Sequence, residues 1–206
     1  MMETGRILLR TWREGDAGVL YRHASDPEVG PQAGWAPHRS EEESREIIRT
    51  LFSNGRTWAI VLKDSGEPAG CIGYYTPDES NIGIGPRDAE VGFWVARPYW
   101  NRGIATEALQ LLTDYCFRKL GFQALWADCF PDNRASWRVM QKCGFRDAGR
   151  QNLCSRLAVG SGRRVRVMRL EAVSEEHVDG TAATASLRGC TATTQPRHPA
   201  GHGTGR

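Results

Sequence analysis

The run Ala89-Glu90-Val91-Gly92-Phe93-Trp94-Val95 puts a carboxylate inside a stretch that otherwise reads as a strand, with Glu90, Gly92 and Trp94 alternating onto one face. A carboxylate in a central strand is costly unless it has a partner or a task. Glu90 therefore reads either as half of a structural ion pair or as a general base. Just beyond it, Trp100-Asn101-Arg102-Gly103-Ile104-Ala105-Thr106 sets a basic residue, a glycine and small residues at the turn from strand into helix. Free amides and the positive end of a helix attract phosphate, and a side chain larger than alanine at Gly103 or Ala105 would obstruct the approach. Tight packing of a helix on a sheet asks for the same small residues. The run fits neither the Walker pattern nor the dinucleotide G-x-G-x-x-G pattern, which disfavours a nucleotide kinase or a Rossmann enzyme. Asn133 and Ser136 open a later helix, where they are good caps and equally good partners for a polar ligand.

The elements that must position these groups follow from periodicity and punctuation. A strand is expected from Ile7 to Trp12, then a helix capped by Asp16 and ended at Asp26-Pro27. Ser40-Glu41-Glu42-Glu43 fits a capping box opening a helix to Phe52, stopped by Gly55. Strands follow at Trp58 to Leu62, Ala69 to Tyr75 and Ala89 to Ala96. From Gly103, Ile104, Ala108, Leu111, Leu112 and Tyr115 recur at helical spacing. A strand from Ala124 to Phe130, a helix from Asn133 to Lys142 and a hairpin of Leu153 to Val159 with Arg163 to Leu170 complete the reading. Interleaved helices with hairpins imply an α+β fold with a mixed sheet.

With 206 residues and no break in the middle, the chain reads as one domain over residues 1–171. The stretch 172–206 is Gly, Thr, Ala, Ser, Pro and His with few large aliphatics, a composition expected to stay disordered. No apolar run reaches the roughly 20 residues of a membrane span and no signal core opens the chain, so a cytoplasmic, non-membrane protein is expected. A net charge of +3 is too small to imply nucleic acid, and the cluster Arg163, Arg164, Arg166 and Arg169 alternates with Val165 and Val167 like the solvated face of a strand. Six cysteines without a C-x-x-C pair read as reduced thiols, with no metal site.

The run Trp100 to Ala105 is similar to motif A, R/Q-x-x-G-x-G/A, of the GNAT superfamily of acetyl-CoA-dependent N-acetyltransferases, with Trp100 in place of the first Arg or Gln. An aromatic there resembles the RimJ/RimL branch of ribosomal-protein N-terminal acetyltransferases, as do Ile7 to Asp16, Ser25 to Val29, Glu90 to Val95 and Asp132 to Phe145. The resemblance spans about Arg6 to Glu171 and implies a GNAT fold: a mostly antiparallel sheet of about seven strands flanked by helices and splayed at the acetyl-CoA site. It implies that pyrophosphate meets the amides of Arg102, Gly103, Ile104, Ala105 and Thr106, and that pantetheine pairs with the backbone of Trp94, Val95 and Ala96 beside a bulge in the Glu90 strand. Asn133 and Ser136 would hold its far side.

That reading makes Glu90 the catalytic base and leaves the acid open, because the tyrosine many members carry six residues after the motif asparagine is Val139 here; Ser136 or water could serve. Cys129 lies where this branch brings its cofactor thiol close, and a buried inert thiol fits it equally. Acetyl would pass directly to a primary amine in a ternary complex. An α-amine with a pKa near 8 must give up about one unit at pH 7, roughly 1.4 kcal/mol, whereas a lysine near 10.4 must give up roughly 4.6 kcal/mol, which favours a protein or peptide N-terminus. A small-molecule acceptor such as an aminoglycoside, polyamine or amino-acid derivative, or a non-catalytic acyl-CoA-binding module, stands as the alternative. The acceptor pocket is expected from Asp26, Glu28, Trp35, Tyr74 and Tyr75, and the branch is compatible with a homodimer.

Overall fold

The computed structural model describes residues 2–153 and 162–173. The expected tail, apart from Ala172 and Val173, lies outside the described residues, as do Cys154, Cys190 and most of the expected strand from Leu153 to Val159.

The described residues order as β1 (Met2–Glu3), β2 (Ile7–Thr11), α1 (Ala17–Ala24), α2 (Gly30–Ala33), α3 (Glu41–Ile47), β3 (Thr57–Leu62), β4 (Pro68–Tyr75), β5 (Asp88–Val95), α4 (Ile104–Arg118), β6 (Ala124–Cys129), α5 (Arg134–Lys142), β7 (Arg146–Asn152) and β8 (Arg164–Glu171). The strands form one sheet in the order β1-β2-β3-β4-β5-β6-β8-β7. Every neighbouring pair is antiparallel except β5 with β6, which the α4 crossover makes parallel. The fold is thus the mixed, mostly antiparallel GNAT-type sheet, with eight strands rather than about seven because two residues, Met2 and Glu3, add an edge.

β3 is apolar from Trp58 to Leu62 because both its faces are covered there. Trp58, Ile60 and Leu62 join Ile7, Leu9, Ile72 and Val91 under α4, while Ala59 and Val61 face Leu20, Ala24 and Ile48 on the other side. α4 buries Ile104, Ala108, Leu109, Leu112 and Cys116; Leu111 and Tyr115 are only partly buried, so its core face is turned slightly from the expected one. Ser40 caps α3 by accepting from Glu43 N at 3.1 Å, as its sequence suggests. Asp16 does not cap α1: its carboxylate accepts from Arg10 at 2.7 and 2.9 Å and from Arg13 N at 2.9 Å. The helix α2, inside the expected Gly/Pro loop, lacks a periodic stripe to announce it.

The final hairpin also differs. β8 pairs with Arg146–Asn152, not with a strand beginning at Leu153. β7 is almost wholly exposed and polar, and an edge strand of that kind has no apolar alternation to reveal it. Inside β8, Val165 and Val167 are buried, while Arg166 lies over Trp137 and Arg169 over Trp126, so these arginines cover aromatic rings rather than standing free in solvent.

Candidate functional site

The site grows out of the one parallel pair. β5 pairs with β6 only through Asp88, Ala89 and Glu90, whereas its ladder with β4 runs unbroken from Tyr75 opposite Glu90 to Gly70 opposite Val95. Beyond Glu90 the two parallel strands part, and β6 continues beside β8 as far as Cys129 opposite Arg166. The splay therefore exists, but without the bulge in the Glu90 strand: β5 stays in register with β4 and simply leaves β6.

This geometry decides which backbone groups face the gap. Ala96 N donates to Ala69 O at 2.8 Å, which sets the phase of the ladder. Alternate residues of an antiparallel strand exchange both bonds with one neighbour, so Gly92, Trp94 and Ala96 turn their amides to β4 while Phe93 and Val95 turn theirs to the gap. The sequence reading named Trp94, Val95 and Ala96; the alternation keeps Val95, brings in Phe93, and engages the backbones of Trp94 and Ala96 elsewhere. Trp100 Nε1 donates to Val95 O at 2.6 Å, fixing the indole across the mouth of the gap.

A cleft of about 540 Å³ opens there, bordered by Phe93, Trp94 and Val95, by Gly103, Ile104, Ala105 and Thr106 at the start of α4, and by Asn133, Ser136, Arg138 and Lys142 of the α5 wall. Gly103 has φ +80°, and only Arg6 Nη2, at 3.6 Å, lies within 4 Å of where its Cβ would stand. Close packing by the protein is therefore not what requires a glycine; the left-handed backbone is. Asn101, at φ 61°, is a second left-handed residue in the same loop, a strain that such loops sustain at functional positions. Glu107 N donates to Gly103 O at 3.1 Å as the first bond of the helix, so the amides of Ile104, Ala105 and Thr106 have no acceptor within α4. Glu107 itself is engaged by Arg6, 2.9 Å from Nε, and by Thr4. The Arg102 guanidinium lies over the Tyr99 ring, 5.6 Å from its centroid.

On the opposite wall Asn133 Oδ1 accepts from Ser136 N at 3.0 Å as the cap of α5, and its Nδ2 donates to Gln32 O at 3.2 Å. The Ser136 hydroxyl has no hydrogen-bond partner among the described residues and borders both the cleft and a smaller cavity of about 110 Å³ at the deep end of the gap. That cavity is lined by Tyr75, Asn81, Glu90, Asp128 and Cys129.

Glu90 is buried, and three donors fill its oxygens: Ser80 Oγ at 2.6 Å, Asn81 N at 2.8 Å and Asn81 Nδ2 at 3.3 Å. Asp128, from β6, accepts no hydrogen bond among the described residues; burial, with Glu90 adding, pushes its carboxyl up to about 7. The sequence reading did not single it out. The clue was the one that exposed Glu90, an acid within the apolar run Ala124 to Phe130. Burial also raises the Tyr75 phenol to about 12 and the Cys129 thiol to about 11, which leaves Cys129 a protonated thiol at neutral pH.

The expected acceptor residues separate. Tyr75 lines the cavity with its ring against Gly92, and Glu28 borders the cleft. Tyr74, one residue along the same strand, points to the other face, stacks on Trp58 and meets Phe122 edge-on. Asp26 is tied to Arg97 at 3.0 Å, and Trp35 packs edge-on against Trp94 with centroids 5.7 Å apart. None of those three lines the cleft or the deep cavity, because strand alternation, an ion pair and core packing turn them elsewhere. No group of three or more metal-ligating side chains occurs among the described residues, nor does a helix long and apolar enough to cross a membrane.

Comparisons with known proteins bear on the family and the fold. Residues 6–146 match the family described as an acetyltransferase (GNAT) domain. The chain is 30% identical over 151 residues to the uncharacterized N-acetyltransferase p20 of Bacillus licheniformis, covering 71% of this chain and 82% of that protein. Among solved structures it resembles Mycobacterium smegmatis RimJ in complex with CoA-disulfide, with a TM-score of 0.64, 26% identity, and coverage of 81% of this chain and 82% of that one. A GNAT-family acetyltransferase from Bacillus anthracis superposes with a TM-score of 0.68 at 22% identity, covering 82% of this chain and 97% of that chain, a likeness of fold.

Proposed function

The chain belongs to the GNAT family of acetyltransferases, and from that premise we propose that it moves acetyl from acetyl-CoA directly to a primary amine, the α-amine of a protein or peptide N-terminus. The observation that carries the acceptor class is the small cavity in which Asp128, at a pKa of about 7, stands beside Glu90.

The residues present fit the co-substrate. The amides of Ile104, Ala105 and Thr106 are unpaired within α4 at the positive end of a 15-residue helix, suited to a pyrophosphate. Phe93 and Val95 would receive the pantetheine amides as an added strand, with Asn133 and Ser136 closing the other side. Acetyl-CoA supplies the activated acyl group; the rest is work for the chain. Asp128 takes the proton of the incoming ammonium. A carboxylate near 7 lies about one unit below an α-amine and over three below a lysine, a gap of roughly 1.4 against roughly 4.6 kcal/mol. Glu90, expected from the sequence as the base, acts here by raising Asp128, while its three donors anchor the β4–β5 loop. The Ser136 hydroxyl borders both the cleft and the deep cavity and is the candidate to relay to the departing sulfur the second proton that the amine sheds. A cavity of about 110 Å³ suits the first residue of a peptide with a small side chain; drug-sized ligands occupy pockets of roughly 300–1,000 Å³, which disfavours an aminoglycoside.

The test is release of CoA thiol from acetyl-CoA with Ser- and Ala-initiated peptides run beside spermidine, an aminoglycoside and free lysine. Turnover confined to the peptides supports this acceptor. Turnover confined to the polyamine or sugar transfers the reading to small molecules.

A further inference from the structure

Arg134, Arg138 and Lys142 recur every four residues along α5, so they share one face, each step advancing about 6 Å. All three are exposed, all three border the larger cleft, and none forms an ion pair among the described residues. α5, Arg-Ala-Ser-Trp-Arg-Val-Met-Gln-Lys, contains no acid, and like charges at this spacing repel. Such a row is retained at a cost unless an anion lies against it. The acids of the cleft wall, Glu28 and Asp132, leave the row unequal: Asp132 is two residues from Arg134, whereas Arg138 and Lys142 have no carboxylate within their own helix.

Their position names the anion. Cys143 Sγ donates to Thr106 O at 3.5 Å, which brings the end of α5, where Lys142 sits, to the first turn of α4. The chemical end of the cleft, with Asp128 and Ser136, lies the other way along α5. The amides of Ile104, Ala105 and Thr106 already suit two bridged phosphates, so Lys142 beside them and Arg138 one turn back on the same cleft-bordering face are surplus to a pyrophosphate. Coenzyme A carries one more phosphate, a monoester on the ribose 3′-oxygen. Resting on the acetyl-CoA reading above, we propose that Arg138 and Lys142 bind this 3′-phosphate and make the protein discriminate CoA from its 3′-dephospho form. Arg138 can grip a phosphate by two parallel N–H donors, and Lys142 adds a point charge.

Titration calorimetry of CoA and of 3′-dephospho-CoA decides it, on the full chain and on the Arg138→Gln/Lys142→Gln double variant. Glutamine preserves helix propensity on this exposed face, and circular dichroism confirms that the variant is folded. Expected is an affinity for CoA at least about tenfold above that for 3′-dephospho-CoA at low salt, shrinking as salt rises. The double variant should bind both ligands with the affinity the parent shows for the dephospho form. Equal binding of the two ligands by the parent overturns the assignment while leaving the acetyl-CoA reading intact. An equal loss for both ligands in the double variant overturns it too, because the cations would then act on the pyrophosphate. Failure of the parent to bind either ligand overturns the acetyl-CoA reading and this inference with it.

Discussion

Asp128 and Glu90 come from neighbouring strands and line one cavity, yet only Glu90 is saturated with donors. If Asp128 is the base, Asp128→Asn lowers kcat/KM for a Ser-initiated peptide by about 10²- to 10⁴-fold and removes the acid limb that activity otherwise shows near pH 7. An unchanged pH-rate profile would assign the proton to another group. The same carboxyl predicts a stability effect of definite sign. Its folded pKa is raised from 3.8 to about 7, so the folded state holds the proton more tightly, and stability falls as pH rises through that window. Asp128→Asn should therefore raise Tm at pH 8 and leave it near the parent value at pH 4, read by calorimetry at both. Glu90 announced itself in the sequence because a lone acid on an apolar strand needs an explanation; Asp128 met the same criterion but lay beside Cys129 and Pro131, where the eye reads a strand end. What no sequence pattern contains is that Ser80 and Asn81 fold back onto Glu90 and leave Asp128 without a partner.

The loop into α4 acts through its backbone, so its variants separate conformation from bulk. Gly103→Ala must hold φ near +80°, at a cost of about 1–2 kcal/mol, but meets only the tip of Arg6. Gly103→Glu adds a carboxylate beside the free amides. Calorimetry with acetyl-CoA should show a modest loss for alanine and no detectable binding for glutamate; equal losses would trace the effect to the backbone alone. At α3, Ser40→Ala removes the acceptor for Glu43 N and should cost about 1 kcal/mol in urea unfolding without changing activity. β3, a continuous apolar run, and the periodic helices α4 and α5 were legible from the sequence because packing against the core enforces those patterns. β7 and α2 were not: one is an exposed edge, the other a single short turn. Of the three backbones named for the gap only Val95 faces it, since hydrogen-bond phase within a strand depends on its partner and has no signature in side chains.

For the whole molecule, the α+β class and the mixed sheet followed from hairpins interleaved with helices, and the eighth strand escaped because two residues show no alternation. Ala172 N still bonds Gln123 O at 2.9 Å, so ordered structure reaches that far. A chain ending at Val173 should keep Tm within about 2 °C of the full chain, and a larger drop in a thermal melt would show that the remainder contributes to the folded domain. The sheet itself carries a further consequence. Its two portions, β1 to β5 and β6 to β8, share only the three paired positions from Asp88 to Glu90. A seam so narrow is the line along which fluctuations concentrate. Amide deuterium uptake should thus be faster at Phe93 and Val95 than at Trp94, their neighbour turned toward β4, so that the periodicity of a single strand appears as alternating protection along it.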